Sequence, residues 1–322
     1  MDSAATAALS AAPGAEVVLT NAISPYGHDI AESLGVPSAE ALLQPLRPSA
    51  GYPPMIASGR DLGPLGNRLA GHLARRVRTP YDPAGDRVRA ELGLPPESRR
   101  AGRRRRRVPV HHGVSPAVLP RPADWPPELT LDGFWWPHDP ADWTPPASLT
   151  GFLDDGPAPV VVTLGSVPAG SAAVAAVAGA LDATRARAVL QGAELRGIAA
   201  RLDGPDVLHV GDVPHSWLLP RAAAVVHQAG AGVTSAALRA GVPSVPVPVH
   251  TDQPFWARRL VALDAGTAPI PMQGIDADRL AAAITTAVSS PRLRDGARAV
   301  RDAMTDEDGT LPLRTWVNRL AG

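Results

Sequence analysis

From residue 160 onward, short apolar runs alternate with stretches whose apolar positions recur every three or four residues. Val160–Leu164, Ala186–Gln191, Val207–Val210, Ala222–His227 and Ser244–Val249 read as strands. Ser171–Thr184, Ser216–Leu219, Thr234–Ala240, Gln253–Asp264 and Asp276–Ser289 read as helices between and after them. Continuous apolar strands separated by helices predict an α/β fold with a parallel sheet covered on both faces. Asp295–Met304 and Pro312–Leu320 predict terminal helices. Nearer the start, Glu16–Asn21 and Ala39–Gln44 predict strands, and Ile30–Leu34 a helix closed by Gly35. Leu62, Leu65, Leu69 and Leu73 give Arg60–Arg78 a helical stripe, expected to face a core. Residues 108–159 hold 12 prolines and four of the seven tryptophans, the composition of a packed interdomain connection. The expected division is therefore 1–107, a linker at 108–159, a second α/β domain at 160–290, and C-terminal helices at 291–322.

Within the second domain one stretch combines several chemical features. The strand Ala222–His227 ends in a histidine. A turn of small residues follows, Ala229-Gly230-Ala231-Gly232, and leads into the helix carrying Val233, Thr234 and Ser235. The next strand ends near Asp252-Gln253, just before Pro254. A helix N-terminus presents unpaired N–H groups and partial positive charge, and glycine lets the backbone approach an anion. Aspartate accepts hydrogen bonds while glutamine both donates and accepts, which suits a ligand rich in hydroxyls. The same segments also fit a plain reading, in which the glycines pack a helix on a sheet and Asp252 caps the helix that contains Pro254. Gly165-Ser166, after the first strand of this half, forms another small loop at the same edge.

Composition narrows the chemistry. The 322 residues are enough for two domains, and formal net charge is zero, so no global field attracts nucleic acid. All 31 basic residues are arginine, which excludes a P-loop lysine and a lysine Schiff base. Cysteine is absent, which excludes disulfides and thiolate catalysis. With no signal-peptide pattern and no apolar run of membrane length, a cytoplasmic protein without integral membrane contact is expected. Arg99–Arg107 holds seven arginines in nine residues, readable as an anionic-surface patch or as a solvated loop. Gly230-Ala231-Gly232 with Asp252 about 20 residues on also fits a dinucleotide fingerprint, and hence an NAD(P)-dependent oxidoreductase. Ser235 at the third glycine position and prolines 246 and 248 in the second strand argue against that alternative.

The densest segments resemble the UDP-glycosyltransferase family of GT-B fold, in its branch acting on antibiotics and sterols. That branch carries a His-His-Gly-Gly-Ala-Gly-Thr turn, then Ala-Gly-Val/Ile-Pro, then Asp-Gln-Pro-Phe-Trp. Here the counterparts are His227 to Val233, Ala240 to Pro243, and Asp252 to Trp256. Val160–Ser166 resembles the first strand and loop of the donor domain, Gly211–Leu218 the loop around the base, and Ser115–Trp135 the linker. The resemblance implies two Rossmann-like domains and inverting, metal-independent transfer of a hexose from a UDP- or TDP-sugar to a hydroxyl of a small lipophilic acceptor. It implies no cofactor. His227 and the backbone of Gly230, Ala231, Gly232 and Val233 would hold the diphosphate. Asp252 and Gln253 would hold sugar hydroxyls, Gly165 and Ser166 would lie beside the reacting centre, and the Val213 main chain would meet the base.

Three residues depart from the family turn. Gln228 replaces a histidine, Ala229 a glycine, and Val233 a threonine. The opening strand and glycine loop of the acceptor domain have no counterpart, since Glu16–Asn21 resembles the middle of that domain. The catalytic general base is therefore expected upstream of Met1, and no residue inherits it by alignment. His28, His111 and His112 are the nearest ionisable groups and read as structural. The expectation is an N-terminal domain that is incomplete and turnover that is impaired. The alternative is a nucleotide-sugar-binding fragment, or an auxiliary chain whose partner subunit supplies the missing half.

Overall fold

The computed structural model describes residues 2–55, 60–77, 79, 81–96, 107–165, 169–202 and 206–320. They divide into two compact units, residues 1–135 with 307–322, and residues 136–306. The segment 108–135, expected within a linker, thus packs with the first unit, and the helix Pro291–Ala303 with the second. Among the described residues no helix is long and apolar enough to cross a membrane.

The second unit is a five-stranded parallel sheet. Its strands are β5 (Val160–Thr163), β6 (Ala188–Gln191), β7 (Val207–Val210), β8 (Ala224–His227) and β9 (Ser244–Pro246), in the order β7-β6-β5-β8-β9. Side chains alternate across the pleat. Val160, Val162, Leu190 and Val226 join one buried cluster, beneath the helices Gly170–Thr184 and Ala277–Ser289. Val161, Val189 and Val225 join another, with Leu149, Leu218 and Ala237 from helices on the opposite face. The apolar runs without polar alternation are therefore strands covered on both sides. β9 stops at Pro246, short of the expected Val249, because Pro246 and Pro248 have no N–H to donate.

The order places β5 between β6 and β8, so the chain leaves it in both directions. That is the topological switch point of an open parallel sheet, where the carboxyl ends of the strands leave a crevice. The register aligns Thr163 with Gln191 and His227, Gln191 with Val210, and His227 with Pro246. These residues mark one edge.

The first unit has a four-stranded parallel sheet, β1 (Val18–Thr20), β2 (Ser38–Leu42), β3 (Val110–His112) and β4 (Leu129–Leu131), in sequential order. Ala5, Tyr26, Ile30, Ala84 and Val88 form a small core between the helices Asp2–Ala11, Gly27–Leu34 and Asp82–Glu91. The C-terminal segment returns to this unit. The Ser115 hydroxyl donates to Glu307 at 2.7 Å, and the Trp135 indole to the Gly309 carbonyl at 2.7 Å.

The leucine stripe corrects the expectation. The helix Gly63–Ala74 forms, but Leu62, Leu65, Leu69 and Leu73 are all exposed. The helix turns Asn67 and Gly71 inward instead. Asn67 accepts the Leu62 N–H at 2.9 Å and donates to Asp61 at 2.8 Å. A Cβ on Gly71 would lie 2.9 Å from the Pro48 Cα, so only glycine permits this approach. Close backbone packing set the helix rotation, against its apolar spacing.

Candidate functional site

The candidate site lies at the carboxyl edge of the second unit's sheet. His227 ends β8 and is fully buried. The Ala229 N–H donates to its Nδ1 at 3.0 Å, which fixes the neutral tautomer with hydrogen on Nε2. That Nε2 has no hydrogen-bond partner among the described residues. Burial, then the nearby His215, pushes the His227 pKa down to about 3, so the ring is neutral near pH 7. The result is a buried N–H donor without an acceptor, a costly arrangement for a fold to keep.

The turn after it leads straight into a helix. Gly230 is the N-cap of the helix Ala231–Ala240, and no side chain caps it. The first backbone bond runs from the Thr234 N–H to the Gly230 carbonyl at 3.0 Å. The N–H groups of Ala231, Gly232 and Val233 precede it and point out of the helix start. Gly230 and Gly232 lack positive φ, and a Cβ on either would meet nothing within 4 Å. The fold itself does not demand glycine at either position; an approaching anion would. Thr234, in the same first turn, has a buried hydroxyl without a partner.

Ala229 has φ of 59°, the left-handed conformation that glycine occupies without cost. Ala229→Gly should therefore raise the stability of this unit by about 1 kcal/mol, read as a higher denaturation midpoint. An unchanged or lower midpoint would show that the methyl contacts repay the strain. Gln228 is buried, and its Oε1 would lie 3.2 Å from a Cβ on Gly165, whose φ of 69° also requires glycine. The loop after β5 and the turn after β8 are thus in contact. Ser166 lies outside the described residues, as does Arg99–Arg107 except for Arg107.

Asp252 precedes the helix Gln253–Ala262. Its carboxylate accepts the indole N–H of buried Trp256 at 3.0 Å and the Thr251 hydroxyl at 3.1 Å. The Gln253 side-chain carbonyl accepts the Val249 N–H at 2.7 Å. Both residues therefore brace the loop as well as presenting polar atoms. The Val213 carbonyl takes the Gln191 amide at 2.8 Å, while the Gln191 Oε1 is buried without a partner. Gln191 and His215 went unnoticed in the sequence. The signal for Gln191 was a polar residue closing an apolar strand, the same signal that marked His227. Trp217 meets Trp143 edge-on at 5.5 Å with Arg221 over its ring at 4.2 Å.

Three of the first unit's histidines, His28, His111 and His112, are committed to the fold. His28 bonds Ser38 at 3.0 Å and lies 3.5 Å from Glu40. His111 pairs with Asp132 at 2.6 Å. His112 donates from Nδ1 to the Thr130 carbonyl at 2.7 Å and stacks on Trp125. Burial pushes its pKa down to about 4. A histidine held neutral by folding stabilises the protein fully above its unfolded pKa of about 6.5, and that contribution is lost as pH falls toward the folded value. His112 and His227 should each cost about 2 kcal/mol of stability between pH 7 and pH 5. Denaturant titrations at the two pH values check this, and His112→Gln should remove its share. Equal stability at both would contradict the assigned neutral state.

Comparison with known proteins gives this edge its class. Residues 176–310, which hold His227 and Asp252, match the erythromycin biosynthesis protein CIII-like C-terminal domain. The chain is similar to the O-mycaminosyltylonolide 6-deoxyallosyltransferase of Streptomyces fradiae, 38% identical over 80% of this chain and 62% of that protein. It is also similar to a sterol 3-beta-glucosyltransferase of Arabidopsis thaliana, 30% identical over 88% of this chain and 45% of the relative. The vancomycin aglycone glucosyltransferase of Amycolatopsis orientalis is 36% identical over 53% of this chain and 41% of the relative. The chain thus spans about half the length of the curated relatives it matches. Among solved structures, the kitacinnamycin glycotransferase aligns with a TM-score of 0.68 at 22% identity, covering 96% of this chain and 76% of that one. The glycosyltransferase VinC in complex with DTDP aligns at 0.64 and 20% identity, over 100% of this chain and 75% of that one. The fold is that of GT-B glycosyltransferases, α/β with two Rossmann-like domains.

Proposed function

We propose that this chain carries the donor site of a glycosyltransferase that moves a hexose from a UDP- or TDP-sugar to a hydroxyl of a small lipophilic acceptor, such as a sterol or natural product. The observation that carries this reading is the unpartnered N–H of buried His227 beside the uncapped helix start at Gly230. The neutral ring donor, the helix N–H groups and the helix dipole would together offset charge developing on the leaving diphosphate. Asp252 and the Gln253 amide would take sugar hydroxyls. Gly165 would leave room beside the reacting carbon, and the Val213 main chain would border the base. The relatives' names, which join sugars to a tylonolide, a sterol and an antibiotic aglycone, support the acceptor class. The inverting and metal-independent course rests on the family resemblance of the His227–Gln253 stretch.

Calorimetric titration with UDP, TDP and their glucose conjugates tests the donor site. Saturable one-to-one binding, unaffected by a chelator, is the expected result. Failure of all four to bind at millimolar concentration would overturn the reading.

A further inference from the structure

The exposed stripe on the helix Gly63–Ala74 has no role in the donor site. Leu65 is 86% exposed and Val77, just past the helix, 70%; Leu62, Leu69 and Leu73 continue the row between them. The spacing puts the three helical leucines on one face. Beside that row runs a second one, of Arg68, His72 and Arg76, all exposed. Asp61 is the lone acid between residues 60 and 77. Its carboxylate is held at the helix start, accepting the Gly63 N–H and the Asn67 amide, each at 2.8 Å. Arg68 reaches Asp124 only at 3.9 Å, with its own side chain 58% exposed. The outer surface is therefore apolar along one strip and basic along the next.

We propose that this helix docks the protein on an anionic lipid surface. The leucines and Val77 would enter the boundary between headgroups and acyl chains, and the basic row would face headgroup phosphates. Charge favours a lipid over a second copy of the chain. An antiparallel two-fold contact through the leucine row would set one basic row beside the other. The inner face of the helix adds a reason for such docking. Asn67, Gly71 and Ala74 line a cavity of about 390 Å³ in the first unit, together with Leu42, Tyr52 and Met55. A lipid surface on the outer face would lie one helix thickness from that cavity, whose lining also holds Glu40, Arg47 and Arg75 and so suits an amphipathic compound from the bilayer. The docking itself does not depend on the donor reading.

Flotation of the full chain with vesicles tests the proposal. The protein should float with phosphatidylcholine vesicles containing phosphatidylglycerol, far less with phosphatidylcholine alone, and less as salt rises. Leu65→Ser with Leu69→Ser should weaken binding roughly tenfold or more. Arg68→Gln with Arg76→Gln should weaken it on the order of fivefold per arginine. These positions are exposed, so circular dichroism should match the parent protein. Three results would overturn the proposal. One is no flotation with either vesicle. Another is unchanged flotation of both variants, which would move the attraction to the arginines of 99–107. The third is a dimer in sedimentation that the leucine variant abolishes.

Discussion

His227→Ala should weaken UDP or TDP binding about ten- to a hundredfold, because one charge-assisted hydrogen bond contributes roughly 1.5–3 kcal/mol. The tautomer of the ring decides this. The Ala229 N–H occupies Nδ1, so the proton must sit on Nε2, and that atom has no partner among the described residues. A phosphate oxygen would complete it. The substitution also removes the acceptor for the Ala229 N–H, so the variant should melt earlier. Calorimetry must therefore be done where it remains folded. The pH profile adds a separate check. With a pKa near 3 the ring contributes no charge between pH 5 and 8, so nucleotide-sugar affinity should not rise as pH falls through 6.5 on its account. Unchanged calorimetric affinity in the alanine variant would sink the diphosphate assignment.

Asp252→Ala should leave free UDP binding intact and weaken the nucleotide-sugar on the order of tenfold. The structure sharpens how this must be measured. The same carboxylate accepts the indole N–H of Trp256, which is fully buried, so alanine leaves a buried donor unpaired at a cost of about 1–3 kcal/mol in stability. Asp252→Asn keeps an oxygen for the indole while removing charge and half of the acceptor capacity. It should retain most of the stability and still bind the sugar conjugate less well. Equal losses for nucleotide and nucleotide-sugar in both variants would leave Asp252 as a brace for the loop, with no sugar contact.

The strands of the second unit were legible because they are buried on both faces, which leaves uninterrupted apolar runs. The helices between them were legible from spacing, and Gly241 ends one of them with φ of 68°, as its position past the last periodic residue implied. Ala229 was legible as a departure from the family's glycine, and its φ of 59° came only from the structure. The short strands β3 and β4 were not legible among prolines, because three residues carry too little pattern. Neither was the helix Asp2–Ala11, whose run of alanines marks no clear face. The stripe at Leu62–Val77 was legible as a helix and misleading about its direction. Spacing says which residues share a face, but not whether that face finds a neighbour.

The sequence by itself determined the α/β class and the strand and helix order of the second unit, and it singled out His227, the glycine turn and Asp252-Gln253 as candidates. These follow from local rules, namely apolar periodicity, backbone freedom at glycine and the donor–acceptor chemistry of side chains. Only the tertiary structure decided the rest. It set which nitrogen of His227 holds the proton, because that depends on a backbone N–H folded back two residues later. It left Gly230 and Gly232 in open space, because neighbouring elements stop short of them. It turned the leucines outward, because a glycine against Pro48 allows the closer packing. Each is a matter of which groups meet across the fold, and a linear pattern does not contain that information.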